Sequence, residues 1–199
     1  YFTTLAAIFP HPDYPLNIPL TETFIYLFLG QVNDQLVKVI FPIYFVAMLT
    51  LVYFAVRRFS GRGAALLATF LVASAPQMNA YAANGYLDLV LAFYVFAAFV
   101  SLLRWFEDVS QRQFLLISAV MAGLAGWTKN EGMMYAVICA ALVAAFLTFG
   151  SKERRPARIG SFLLYCGIMC AILAPWLWLR VSHHIVNIDM GLTGVAFGA

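Results

Sequence analysis

Long apolar runs separated by short polar stretches set the pattern of this chain. A membrane-crossing helix needs about 20 mostly apolar residues, and six segments approach that length: Leu36–Val56, Gly63–Ala83, Tyr86–Leu103, Phe114–Thr128, Gly132–Phe149 and Ile159–Leu179. The fourth is short and borrows polar residues from its ends. The second contains Pro76, which a membrane helix tolerates as a kink. Trp105, Trp127, Trp176 and Trp178 fall near segment ends, as aromatic belts at membrane interfaces do. The pattern predicts an all-α, polytopic transmembrane domain.

The stretch Tyr14–Gly30, "YPLNIPLTETFIYLFLG", is apolar but different. It is short, and Pro15, Pro19 and Glu22 occupy its first half. If it crossed, the side on which every later loop lies would invert. It is therefore expected to lie along the outer membrane surface or to enter as a shallow re-entrant helix. The organisation expected is one membrane domain over 1–199: an outer loop with a surface helix over 1–35, six crossings over 36–179, and the start of a second outer loop over 180–199. The chain opens on Tyr1 without a signal-peptide pattern, so it reads as a fragment with at least one membrane segment upstream.

Composition agrees with that pattern. The chain is 63% hydrophobic and 11% charged, with a mean hydropathy of +0.86, whereas soluble domains are about 25% charged. Charge placement adds a direction. Arg57, Arg58, Arg62, Arg104, Arg112, Lys152, Arg154, Arg155 and Arg158 fall in one set of loops; Lys38, Lys129 and Arg180 fall in the other. The cation-rich set is expected to be cytoplasmic. Asp13, Glu22, Asp34, Asp88, Glu131 and Asp189 then lie outside, with His11, His183 and His184. Cys139, Cys166 and Cys170 all sit within apolar runs and read as small core residues. No phosphate-binding glycine loop, HExxH, CxxC or GxSxG occurs, and the sparse cations do not support nucleic-acid binding.

Four outer groups could carry chemistry. In "HPDYPLNIP", the prolines stiffen an extended strip that holds His11, Asp13 and Tyr14. A carboxylate beside an imidazole can shuttle protons or bind a divalent cation; a plain connector is the alternative. Asp88 opens a helix, where the helix dipole favours an acid; acids this close to hydrocarbon also pair with cations or line cavities. In "GWTKNEGMMY", Lys129 ends one helix and Glu131 begins the next, with Asn130 between them and Gly132 allowing a sharp turn. Capping explains both charges. A lysine held at headgroup depth to pair with a lipid phosphate also explains them. His183, His184 and Asp189 follow the last segment, and adjacent histidines cannot both face one way on a helix. A divalent metal is an expectation, with Asp13, His183 and His184 as its ligands.

In order, "HPDYPLNIP" with a helix ending in "FLG", "VRRFSGRGAALLATFLVASAP", "NGYLDLVLAFYVFAAFVSLL", "AGLAGWTKNEG" and "LAPWLWL" resemble the membrane module of GT-C fold glycosyltransferases. Each motif alone is loose; their order and spacing carry the match, over about residues 10–189. The chain is most similar to the dolichyl-phosphate-mannose-protein mannosyltransferase family and its bacterial relatives. The resemblance implies sugar transfer from a polyprenyl-phosphate donor to a protein or glycolipid acceptor at the extracytoplasmic face. It makes Asp13 the catalytic candidate, with His11 second and the main catalytic acid expected upstream of Tyr1. It makes Asp88 and Lys129 substrate-binding candidates; Tyr14, Asn130 and Glu131 are candidates beside them, Glu131 in a pairing or capping role. A transporter or flippase for a lipid-linked or small anionic substrate is the alternative; it requires charges near the bilayer midplane and internal pseudo-symmetry.

Overall fold

A computed structural model of the chain describes residues 14–150 and 155–183. Among the described residues there are helices and no strands: α1 (Asn17–Leu29), α2 (Asp34–Val37), α3 (Ile40–Ser74), α4 (Pro76–Asn84), α5 (Leu87–Glu107), α6 (Arg112–Thr128), α7 (Asn130–Ala145) and α8 (Arg155–Ser182), with a π-helical turn, Phe146–Gly150, closing α7.

Among the described residues, four segments are long and apolar enough to cross a membrane, against the six expected: Asp34–Ser74, Leu87–Glu107, Asn130–Phe149 and Ala157–Ser182. The difference arises at two places. The α6 helix has only 17 residues. The run 63–83 is divided between α3 and α4, because Ala75 is extended and Pro76 starts a new helix. Proline has no N–H to continue the ladder and its fixed φ suits the first helical turn.

The α3 helix is two helices in sequence. Its backbone leaves helical geometry at Gly61, where φ is 80°, a conformation open to glycine at little steric cost. Asn33 starts the approach to α3 by accepting N–H bonds from Gln35 and Leu36, capping α2. Beyond Gly61 the chain comes back: Gly85, with φ 81°, caps α4 directly against the ring of Phe41 at the start of α3. A Cβ there would lie 3.0 Å from that ring. Near the break, Arg58 instead reaches Glu107, the last residue of α5, at 2.6 Å. The bundle therefore has an arginine end, with Arg58, Arg104 and Glu107, and a lysine end, with Phe41, Gly85 and the start of α5.

Helix α6 is the hub, packing most extensively on α5, α7 and α8. Its small residues let neighbours approach: a Cβ on Gly123 would lie 3.0 Å from Ile172, and one on Gly126 would lie 2.8 Å from Leu173. Close approach through small residues is how helices gain dispersion contacts where lipid removes the hydrophobic drive. The larger core joins α5 to α8 around Leu102, Trp105, Leu115, Tyr165 and Met169; a second, at the lysine end, joins Ile18 of α1 to Phe41, Val90, Tyr94 and Ala125.

Two expectations for individual residues change. Trp105 and Trp176 are fully buried, and only Trp178 is broadly exposed. Trp105 donates its indole N–H to the Val109 carbonyl at 3.3 Å and packs on Phe106 and Phe146, which makes it a core anchor instead of a belt residue. Of the cysteines, Cys139 is buried, Cys166 is half-buried and Cys170 is exposed on the outside of α8, so only the first behaves as a core residue.

Candidate functional site

Lys129 alone separates α6 from α7. Its backbone is extended, with φ −152° and ψ 152°, and both its polar groups are engaged. Its N–H donates to Ala125 at 3.3 Å and its carbonyl accepts from Gly132 at 2.9 Å. The lysine is thus pinned from both helices, and little backbone freedom remains to be lost on binding. Gly132 acts differently from expected: it does not make a left-handed turn. Its role is contact, since a Cβ there would collide with the backbone carbonyl of Ala125.

The side chain of Lys129 is only 14% exposed, and its Nζ donates to Asp88 Oδ1 at 2.9 Å. Glu131 Oε1 lies 3.4 Å away. The Tyr14 ring lies under the ammonium, 5.7 Å from its centroid, within cation–π range. Burial alone would lower the lysine's pKa; the Asp88 hydrogen bond and the charges of Asp88 and Glu131 outweigh it and raise the value above 10.5. Asp88 sits in the first turn of α5 and Glu131 in that of α7, so two helix dipoles also hold the acids. Helix-dipole stabilisation and charge pairing operate here together, without a side-chain cap at the N-cap residue of either helix.

A strap formed by α1 fixes this arrangement. Asn17 Nδ2 donates to Thr128 Oγ1 at 2.9 Å in a buried bond across 111 positions, and Thr128 Oγ1 donates to Leu124 O at 2.7 Å. Pro15 and Ile18 on either side are buried as well. Neither Asn17 nor Thr128 stood out in the sequence. The only signal was a polar residue among the buried positions of each helix. The far end of α1 is held by Tyr26, whose hydroxyl donates to Asp34 Oδ1 at 2.8 Å. Glu22 faces the same small polar hollow as Tyr26, Asp34 and Lys38. Burial first, and the nearby charge of Asp34 second, raise its pKa.

From Asp88 an apolar groove of ≈ 380 Å³ runs along α5, lined by Leu91, Val95, Phe96 and Phe99, with Tyr135 of α7 on its other wall. The residues recur at helical spacing, so one face of α5 makes the floor. A charged head and an apolar channel are therefore continuous.

The sequence candidates separate into two groups. Tyr14, Asp88, Lys129 and Glu131 come together, and Asn130 is the first residue of α7 beside them. His183 lies at the exposed end of α8. His11, Asp13 and His184 lie outside the described residues. Among the described residues, no three of His, Cys, Asp or Glu gather as a metal site would require.

An all-helical bundle with four segments fit to cross a bilayer, and a charged cluster at the head of an apolar groove, defines an integral membrane protein with its polar site at one end. The chain belongs to the dolichyl-phosphate-mannose-protein mannosyltransferase family, whose model matches residues 11–180. It is thus a member of a family of membrane glycosyltransferases. No curated protein and no solved structure matches the chain.

Proposed function

We propose that this chain forms part of a glycosyltransferase that takes a sugar from a polyprenyl-phosphate donor, and that the Lys129 cluster receives the donor's phosphate. The observation that carries the reading is that Asp88, which lines the head of the apolar groove, is ion-paired with Lys129. A lipid-phosphate sugar has the matching form, an anionic head on an apolar chain. An ammonium has three donors, so a phosphate oxygen can join the Asp88 contact and replace the looser one to Glu131.

In the transfer, an acceptor hydroxyl attacks the anomeric carbon and loses its proton to a carboxylate. The bond from that carbon to the phosphate oxygen breaks, and the lipid phosphate leaves with its negative charge. A fixed cation beside that oxygen lowers the barrier without reorganising at the moment of reaction. Asp13, then His11, are the candidates in this chain for proton transfer. A metal held by Asp13, His183 and His184 belongs to the same proposal. The acceptor is a protein or a glycolipid.

The proposed path crosses the membrane six times, with breaks at Gly61 and Lys129, and puts the arginine end in the cytoplasm. Support comes from the return of Gly85 to Phe41 and from the excess of cations at the other end. The protein would then sit in a bacterial inner membrane or its equivalent, with its site facing outward. No observation favours a transporter or flippase.

The test is donor binding and sugar transfer by the full-length protein with Lys129→Ala and Lys129→Arg. We expect Lys129→Ala to lower transfer about 10²-fold or more and to weaken donor binding, with Lys129→Arg retaining part of both. Unchanged transfer and affinity in Lys129→Ala would overturn the lysine's role.

A further inference from the structure

At the lysine end, the hollow beside Glu22 has a volume of ≈ 280 Å³ and is built from four separate pieces of chain. Its lining includes Glu22 and Tyr26 of α1, Asp34 of α2, Lys38, Phe41 at the start of α3 and Asn84 at the end of α4. Two contacts give it its shape. Gly85 closes α4 directly against the Phe41 ring, and Tyr26 ties the far part of α1 to Asp34 at 2.8 Å. Polar side chains are thereby gathered around an aromatic floor.

Those side chains converge without satisfying one another. Among the described residues, the Glu22 carboxylate, the Lys38 ammonium and the Asn84 amide make no hydrogen bond in the hollow they line. Lys38 attracts Glu22 only at a distance; burial and the charge of Asp34 act on Glu22 in the opposite sense and raise its pKa. A carboxyl held in a cleft at a cost to its charged form, with nothing bonded to it, marks a place that receives a ligand.

The charges choose the ligand. An anion would meet Glu22 and Asp34, and a cation would meet Lys38. A hydroxyl both donates and accepts, so a neutral polyol can donate to the carboxylates and accept from the ammonium and the amide at once. The Phe41 and Tyr26 rings supply an apolar surface for the C–H side of such a molecule. An apolar floor with a few placed polar groups is the usual form of a small-ligand site, and this volume is at the small end of the range. It suits a single ring.

We propose that this hollow binds a neutral sugar ring of the acceptor, separate from the Lys129 cluster and from the groove that starts at Asp88. Asn17 bonds to Thr128 beside Lys129, and Glu22 lies further along the same helix by about 7.5 Å. One strap therefore carries the hollow next to the cluster. The acceptor is then a sugar-bearing one. Its assignment as acceptor rests on the donor phosphate lying at Lys129; the binding of a sugar in the hollow does not.

The test is saturation-transfer NMR on the full-length protein in detergent, with the methyl glycosides of mannose, glucose and galactose as probes. The wild type should transfer saturation to at least one of them. Glu22→Ala should weaken its affinity about tenfold and Asn84→Ala about threefold, while Gln31→Ala should match the wild type and Lys129→Ala should keep the glycoside. Absence of transfer to all three would overturn the proposal. So would equal affinities in Glu22→Ala and Gln31→Ala, loss of the glycoside in Lys129→Ala, or its displacement by a free amino acid, whose paired charges a charge-reading site would prefer. Displacement by excess polyprenyl-phosphate sugar would overturn the acceptor assignment by giving the hollow to the donor's own sugar. If Glu22→Ala does not fold, Asn84→Ala decides, because Asn84 is exposed: undiminished affinity in it refutes the site. Failure of the donor reading shows separately, as unchanged sugar transfer in Lys129→Ala, and leaves the glycoside result standing.

Discussion

At the residue scale, the cluster depends on what holds Lys129, as well as on what Lys129 holds. The ion pair itself contributes little to stability, about 1 kcal/mol or less, since Asp88 and Glu131 are 42% and 52% exposed and water screens them. The buried Asn17–Thr128 bond matters more. Thr128→Val keeps the shape of the side chain but strands the Asn17 amide, so a loss of about 1–3 kcal/mol is expected, read as a lower melting temperature in detergent. Because Thr128 adjoins Lys129, donor affinity should fall as well; a stability loss with unchanged affinity would show that the strap does not position the lysine. Glu22 gives a pH signature. Its folded pKa is raised above 4.5, so the folded state holds the proton more tightly than the unfolded one. Stability is then fullest below 4.5 and declines as pH rises through the folded value. Glu22→Gln removes that decline: melting scans should show it more stable than the wild type at pH 7, with the difference vanishing at acidic pH. Lys129 is raised in turn, so its contribution holds below 10.5 and is lost only as pH rises above that.

At the element scale, two glycines and a proline shape helices of otherwise similar composition. Gly61 and Pro76 break a continuous apolar run into pieces that can turn back, since at about 1.5 Å per residue an unbroken Asp34–Ser74 helix would be about twice the thickness of a bilayer core. Gly132 lets α7 begin against the backbone of α6. Gly132→Ala cannot be accommodated by a side-chain rotation, because the obstacle is the Ala125 carbonyl. The expected cost is about 3 kcal/mol or more, with the Lys129–Asp88 distance disturbed. Gly160→Ala, at an open position, is the control and should leave the melting temperature unchanged. A Gly132→Ala protein as stable as the control would refute the close packing.

At the scale of the whole molecule, the prediction concerns the path through the bilayer. Single cysteines at Ser60 and Gln111, near the arginine end, should react with a membrane-impermeant maleimide from one side. Cysteines at Gln35 and Asn84, near the lysine end, should react from the other, in a background lacking Cys139, Cys166 and Cys170. Labelling of Ser60 and Asn84 from the same side would mean that the chain does not cross between them, and the six-crossing path would be abandoned.

The sequence by itself determined the material of this protein: apolar runs that can only be helices in lipid, the proline and glycine punctuation, the uneven cations, and the order of motifs that places it in its family. It also made Lys129 and Asp88 visible, because a charge beside a run of apolar residues is costly unless it has a partner. Only the tertiary structure decided which groups meet. The contacts of Asn17 with Thr128 and of Gly85 with Phe41 join positions far apart in the chain, and local periodicity carries no information about such separations. The same holds for the burial of Trp105 and Trp176, which the sequence suggested would face the interface. A tryptophan near a helix end reads the same whether lipid or another helix lies beside it, and packing alone makes that choice.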